Sequence, residues 1–148
     1  MFCSGCVKKG AVRDRGFAMR AGSQLRVLLV ENDDTVADLL ETELAAWGCH
    51  VVSTSLDHRA LVLALHRPFD AVVVSLGLGG SGAGALLNCL AMTAPGSSLV
   101  ALHADDVAPA ARLPPGDVLL VRRPHGPEEV STAAIEIVAA AAQATVAR

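Results

Sequence analysis

Aromatic residues are scarce in this 148-residue sequence: they make up 3% of it, and tyrosine is absent. Charged residues are also few, at 18%, whereas apolar residues account for 52%. Such a balance excludes an intrinsically disordered chain, and a chain of this length can bury roughly two-thirds of its unfolded surface. The sequence therefore predicts one globular domain with a core of valine, leucine and alanine.

Long apolar runs are absent as well. No stretch reaches the ~18 consecutive apolar residues of a transmembrane helix, and the N-terminus lacks the apolar segment of a secretory signal peptide. The formal net charge is only −3, which does not favour binding to nucleic acid or to a membrane surface. We therefore expect a cytoplasmic protein whose partners are neither nucleic acids nor membranes.

The four cysteines do not have the pattern of a disulfide framework. Cys3 and Cys6 have the spacing of a metal or redox pair, but a zinc site needs four ligands and no second pair follows. Cys49 and Cys89 stand alone and are expected to be buried as small apolar residues. The cysteines therefore predict neither a metal site nor a redox function.

The first 23 residues lack any periodic pattern, and their charge is mostly positive. Asp14 is their single acidic residue. Their basic residues are Lys8, Lys9, Arg13, Arg15 and Arg20. Because aromatic residues are nearly absent between these charges, we interpret residues 1–23 as a flexible basic leader and not as a nucleic-acid-binding arm. The patterned domain is predicted to span residues 24–143, followed by a tail at residues 144–148.

From residue 25 onward, short apolar segments alternate with segments of helical periodicity. The predicted strands are Leu25–Val30, His50–Ser53, Ala71–Val74, Ser98–Leu102 and Asp117–Val121. The predicted helices are Val36–Trp47, Asp57–His66, Ala85–Met92, a short proline-interrupted segment at Ala104–Pro115, and a last helix from Pro127. Strands that alternate with helices in this way predict a parallel sheet with helices on both faces.

Three of these helices carry more detailed expectations. Gly48 is placed to end the first helix as a glycine with positive φ. Leu61, Val62 and Leu65 are expected to form the buried stripe of the second. Pro127 is predicted to open the last helix, whose first turn contains two glutamates that suit its positive end.

Several segments resemble the receiver domain of bacterial response regulators. Val27–Asp33 is similar to the family's opening strand and acidic loop, Val72–Leu76 to its third strand, and Leu119–Pro124 to its fifth strand with the basic residue and proline that follow it. The resemblance covers about Leu25 to Ala141. It implies a doubly wound, flavodoxin-like α/β fold with strand order 2-1-3-4-5 and a site at the carboxyl ends of the strands.

The resemblance also implies a site chemistry. An ordinary receiver binds magnesium through carboxylates on the first and third strands, and the third-strand aspartate then accepts a phosphoryl group. In this sequence Ser75 stands at the position of that aspartate, and a neutral serine cannot form an acyl phosphate. Asn32 replaces one acidic residue of the first loop, whereas Glu31 and the nearby Asp33 remain.

Two further positions of the implied site differ from the family. His103 stands where a serine or threonine hydroxyl normally contacts the phosphoryl group. Arg123 replaces a lysine after the fifth strand and keeps its charge, but in a planar fork instead of a point charge. Because only Glu31 and Asp33 face Arg123, we predict that this pocket binds magnesium only weakly. We therefore expect no bound metal, and we expect no other cofactor and no catalytic residue.

Two alternatives use the same region. The loop from Gly77 to Gly84 contains the pattern G-x-G-x-x-G, but it follows the third strand, whereas the dinucleotide fingerprint follows the first. Its amides, with Arg123 and His103, would instead form a small-ligand or anion-binding module. A hydrolase that pairs Ser75 with His103 lacks the G-x-S-x-G context, so enzyme activity is not expected.

These observations favour an atypical, stand-alone receiver domain that acts in two-component signal transduction without aspartate phosphorylation. Its partner is expected to be a signalling protein or a second copy of the chain. The contact surface implied by the family comprises the fourth helix, the fifth strand and the fifth helix, and a homodimer would form through the fifth strand and the last helix. The small-ligand or anion-binding module is the alternative.

Deleting residues Met1 to Ala21 should leave the fold intact, because these residues contribute no periodic apolar face. We expect the truncated chain to melt within a few degrees of the full chain in a thermal scan followed by circular dichroism. A much lower melting temperature would show that the leader belongs to the folded domain.

Overall fold

The computed structural model describes residues 24–76, 82–104 and 118–147. These residues contain a five-stranded parallel sheet whose strand order is β2-β1-β3-β4-β5. The strands are β1 (Arg26–Val30), β2 (His50–Thr54), β3 (Ala71–Ser75), β4 (Ser98–His103) and β5 (Val118–Arg122). The predicted strand order and the five predicted strands are therefore confirmed, with boundaries shifted by one residue.

In the part of the chain that the structure describes, four helices cover the two faces of the sheet. They are α1 (Asp34–Ala46), α2 (Asp57–His66), α3 (Gly82–Thr93) and α4 (Pro127–Ala147). Buried residues of α1 and α4 form one core with the sheet, and those of α2 and α3 form the other. In β1, Val27 and Leu29 face the first core, whereas Leu28 and Val30 face the second. All four are fully buried, as expected for a central strand of a parallel sheet.

The two ends of α1 follow from individual residues. The Asp33 carboxylate caps the first turn, since its Oδ1 accepts hydrogen bonds from the backbone N–H groups of Thr35 and Val36. At the other end Gly48 has φ 91°, and its N–H donates to the Ala45 carbonyl while that of Cys49 donates to Leu44. This is the pairing of a glycine-terminated helix, so the predicted role of Gly48 is confirmed.

The predicted buried stripe of α2 is wrong at two positions. Val62 and Leu65 are 51% and 67% exposed. The helix instead buries Ala60 and Ala64, with Leu61 and Leu63 partly buried beside them. The segment from Ala60 to Leu65 is apolar at every position, so its periodicity could not decide which face meets the sheet.

The two cysteines in the described residues also differ from each other. Cys49 is buried in the core of α1 and α4, as predicted, but Cys89 lies exposed on α3. Burial, with a smaller contribution from the charge of Asp70, raises the pKa of the Cys49 thiol to about 12. Cys49 therefore stays a neutral thiol at physiological pH, as suits a residue that only packs.

The last helix extends beyond the predicted domain boundary at residue 143. It begins at Pro127 with Glu128 and Glu129 in its first turn, as predicted, but it continues to Ala147. Within the predicted tail, Ala144 is buried and the Thr145 hydroxyl donates to Asp70. Residues 144–147 therefore belong to the packed helix, because a buried alanine and a buried carboxylate hold its last turn.

Some expectations lie outside the described residues. These concern the leader at residues 1–23, most of the glycine loop, and the proline-interrupted segment between β4 and β5. Within the described residues, no helix is long and apolar enough to cross a membrane. The histidines at positions 50, 58, 66 and 125 are exposed.

Asp70 joins several elements at the amino edge of the sheet. Its Oδ2 accepts from the Arg26 backbone N–H at 2.8 Å, and its Oδ1 accepts from the Thr145 hydroxyl at 3.2 Å. Its own N–H donates to the Arg26 carbonyl, and its carbonyl accepts from the Ser98 N–H. One largely buried residue thus links the first residues of β1 and β4 to the end of α4.

Replacing Asp70 with alanine should lower the free energy of unfolding by about 2–3 kcal/mol, because the partly buried Arg26 N–H and Thr145 hydroxyl lose their acceptor. Thr145→Val removes one of these hydrogen bonds and should cost about 1 kcal/mol. Urea denaturation measures both, with Asp38→Ala at an exposed position of α1 as the control. A cost for Asp70→Ala no larger than that of the control would contradict the linking role.

Candidate functional site

The five parallel strands end at the same edge of the sheet, and the residues highlighted by the sequence lie at the ends of four of them. Glu31 follows β1, Ser75 ends β3, His103 ends β4 and Arg123 follows β5. The sheet register places Ser75 beside Leu102 and His103 beside Arg122. Beyond the strand, the Arg123 N–H still donates to the His103 carbonyl at 2.8 Å. This is the edge at which open parallel sheets bind ligands.

Glu31 and Arg123 form a two-pronged ion pair at the centre of this edge. The Arg123 Nη2 lies 2.8 Å from Glu31 Oε2, and its Nε lies 3.3 Å from Oε1. The Glu31 side chain has no exposed area, whereas that of Arg123 is 24% exposed. Charged hydrogen bonds of this geometry are the stronger kind, so the fork of Arg123 fits the carboxylate where a lysine would give only a point contact.

Asp33 supports the pair without being its centre. Its backbone N–H donates to Glu31 Oε2 at 3.0 Å, so that this oxygen accepts from two donors. Its carboxylate is 48% exposed, with Oδ2 3.7 Å from Arg123 Nη2. Because Oδ1 caps α1, this carboxylate is already used in the local structure. The predicted facing of Glu31 and Asp33 toward Arg123 is present, and Glu31 carries the main contact.

Ser75 and His103 have surroundings that limit their chemistry. Ser75 is fully buried, so its hydroxyl is not accessible to a substrate. The Nδ1 of His103 lies 3.1 Å from the Ala104 carbonyl oxygen. That oxygen can only accept, which places a proton on Nδ1. This tautomer leaves Nε2 able to accept a proton, so the burial of Ser75, and not the state of His103, argues against a serine nucleophile with His103 as its base.

The donor set does not fit the magnesium ion that the resemblance implies. Ser75 supplies no charge, Asn32 is exposed, and the Glu31 carboxylate is neutralised by Arg123. A hard dication needs several oxygen ligands, with carboxylates among them. Within residues 24–76, 82–104 and 118–147, no group of three histidine, cysteine or acidic side chains is placed to hold a metal ion.

The same ion pair bears on the anion-binding alternative. Arg123 is the cation that would attract an anion, but its Nη2 and Nε both donate to Glu31. Three of the five guanidinium N–H groups remain, but the positive charge of Arg123 is already matched by the Glu31 carboxylate, which weakens the attraction of Arg123 for an anion. The glycine amides at positions 77–81 lie outside the described residues.

Comparison with solved structures identifies the architecture. The signal receiver domain of an HD domain-containing protein from Pseudomonas fluorescens Pf-5 matches with a TM-score of 0.67 at 18% identity, over 82% of this chain and 99% of that one. A CheY-like receiver domain protein from Methanospirillum hungatei matches with a TM-score of 0.64 at 16% identity, over 82% and 98% of the two chains. The chain has the receiver-domain fold.

A third receiver-fold structure shows the chemistry that accompanies this fold elsewhere. It is a response regulator protein from Burkholderia pseudomallei, described with a phosphorylated aspartic acid, a calcium ion and citrate. Its TM-score is 0.63 at 21% identity, over 84% of this chain and 72% of that one. No family model and no curated protein matches this chain. At these identities the receiver-fold likeness concerns the fold alone.

Sequence reasoning missed two features of the site. The polar cluster at residues 31–35 contains several possible N-caps for α1, and the sequence did not single out Asp33 among them. It also gave Glu31 and Asp33 equal weight. Only the fold shows that Glu31 is buried under Arg123 while Asp33 is half exposed.

Removing the Arg123 side chain should destabilise the fold, because Glu31 would stay buried without a counter-charge. We expect Arg123→Ala to lower the free energy of unfolding by about 3 kcal/mol, at the low end for a buried pair since Arg123 is partly exposed. Arg123→Lys should cost less, and the double variant Glu31→Leu with Arg123→Ala should cost less than the sum of the single changes.

Urea denaturation measures these differences, and Arg59→Ala at an exposed position of α2 is the matched control. If the double variant lost as much stability as the two single variants added together, the ion pair would make no contribution of its own to the stability of the fold.

Proposed function

We propose that this chain is an atypical receiver domain that acts in signal transduction through protein–protein contact, without phosphorylation of an aspartate. The observation that carries the proposal is the Glu31–Arg123 pair. In the family chemistry implied by the resemblance, an acid of the first loop holds a metal and a basic residue contacts the phosphoryl group. Here those two positions bind each other, so the carboxylate of Glu31 and the guanidinium of Arg123 neutralise each other.

The positions around this pair support the same proposal. Ser75 is neutral and fully buried at the end of β3. His103 is larger than the hydroxyl residue it replaces, and its Nδ1 is hydrogen-bonded to the next residue along the chain. Neither side chain provides the short hydroxyl movement that couples phosphorylation to a receiver's surface. The domain therefore stays in one state unless another molecule binds it.

The partner surface that we propose is formed by β5 and α4. Leu119 of the edge strand and Ile135 of α4 are exposed apolar residues on the same side of the sheet. A receiver that acts without phosphorylation needs only such a contact surface. A partner of this face would be a signalling protein, or a second copy that joins through β5 and α4. We place such a protein in the cytoplasm.

Incubation with acetyl phosphate and magnesium should not add a phosphoryl group to the protein. The reason is that the pocket has neither the carboxylate nucleophile nor the set of acids that holds the metal. Intact-mass spectrometry tests this, and a gain of one phosphoryl group mapped to Asp33, Asp34 or Ser75 would refute the proposal.

The variant Asn32→Asp with Ser75→Asp provides the positive control, because it returns two carboxylates to the pocket. We expect calorimetry to detect magnesium binding by this variant and none by the parent, after circular dichroism has shown that both are folded. Equal binding by parent and variant would show that the pocket had not lost its metal site.

A further inference from the structure

A groove of about 220 Å³ lies between β5 and the first turns of α4, and neither Glu31 nor Arg123 lines it. Val121 and Ala133 are among its apolar lining residues, and both also belong to the core of α1 and α4. Three glutamates, Glu128, Glu129 and Glu136, line it as well. The groove thus combines apolar surface with acidic side chains, and this combination suits a basic segment that also carries apolar residues.

The acidic side chains of the groove outnumber its basic ones. Arg122 is the one basic residue in the lining, so the groove keeps an excess of two negative charges at neutral pH. One carboxylate oxygen of Glu129 accepts from the His125 N–H at 2.8 Å, which fixes that side chain at the start of α4. Glu136, two turns further along α4, is exposed.

The chain itself contains a segment of the complementary charge. Residues 1–23 contain five basic residues and one acidic residue, whereas the rest of the chain contains seven basic and fourteen acidic residues. Val12, Phe17 and Met19 lie among the basic residues of this leader. The leader therefore has both the charge and the apolar side chains that the groove would bind.

We infer that the leader, through the segment around Arg13 and Arg15, binds in this acidic groove between β5 and α4. Arg15 precedes the first described residue by nine positions, and an extended chain spans about 30 Å over that length at ~3.3 Å per residue. The groove lies about 14 Å from β1 across the sheet, at ~4.8 Å per strand, and at most about 17 Å along it. The tether is therefore long enough.

Tethering makes this contact stronger than the same contact between separate molecules. A short covalent linker gives an effective concentration in the millimolar range, so even a weak basic peptide would occupy the groove. Leu119 lies two residues before Val121 in β5 and Ile135 adjoins Glu136 in α4, so the groove and the partner surface proposed above lie on the same two elements. The leader would thus compete with a partner for this face, but the inference about the leader does not depend on that partner.

Two-dimensional NMR of the ¹⁵N-labelled full chain tests the inference at low salt. Reversing the leader charges with Arg13→Glu and Arg15→Glu should shift the amide signals of Val121, Thr132 and Ala133 and leave those of α2 unchanged. Raising NaCl to about 0.5 M, where screening is effective beyond roughly 4 Å, should produce the same groove shifts in the parent.

The reciprocal variant is Glu136→Lys, and Asp38→Lys on α1 is its control with the same change of charge. We expect Glu136→Lys to shift the amide signals of the leader, and we expect Asp38→Lys to leave these signals unchanged. Should Glu136→Lys fail to fold, the leader variant still decides, because its substitutions lie outside the described domain.

Three results would overturn the inference. Leader signals that ignore Glu136→Lys would show that the groove does not bind the leader. An equal response to Asp38→Lys would show a general charge effect without a defined site. If the salt-induced shifts of the groove signals in the parent disappear on tenfold dilution, the groove binds a second copy of the chain and not the leader of its own chain.

Discussion

The ion pair between Glu31 and Arg123 governs the carboxyl edge of this sheet. The two residues follow β1 and β5, which are separated in the sheet by β3 and β4, so that one contact spans the site. The Glu31 side chain has no exposed area, and a buried carboxylate is tolerated only with a partner. Arg123 and the Asp33 N–H supply that partner, and the charge of the Glu31 carboxylate is therefore matched at this edge.

The pairing of Glu31 with Arg123 bears on how the domain can be controlled. To move a two-state domain almost completely from one state to the other takes about 5.5 kcal/mol of differential binding. In a phosphorylated receiver the phosphoryl group and its metal provide this free energy. Under the proposed function, the Glu31–Arg123 pair takes the place of that input, and control acts on another face of the domain. The face of β5 and α4, with exposed apolar residues beside an acidic groove, is suited to this.

The amino edge of the sheet has a different character. There Asp70 holds the starts of β1 and β4 and the end of α4 through hydrogen bonds to backbone and hydroxyl groups. Cys49, whose pKa is raised by burial, is kept neutral close to this carboxylate. Glu31 at the carboxyl edge is thus paired with a charged residue, whereas Asp70 at the amino edge is hydrogen-bonded to neutral donors.

The sequence by itself determined the strand positions and two helix ends, because hydrophobic runs, Gly48 and Pro127 act through local backbone preferences that do not depend on distant residues. The strand order was implied by the resemblance to the receiver domain and not by these local features. The sequence also predicted which side chains meet at the site, because parallel strands bring their carboxyl ends together. It could not choose the buried face of α2, where every residue from Ala60 to Leu65 is apolar, or foresee that Cys89 is exposed. Only the tertiary structure decided that Arg123 pairs with Glu31 before Asp33, since that choice depends on which carboxylate the packed strands shield from water.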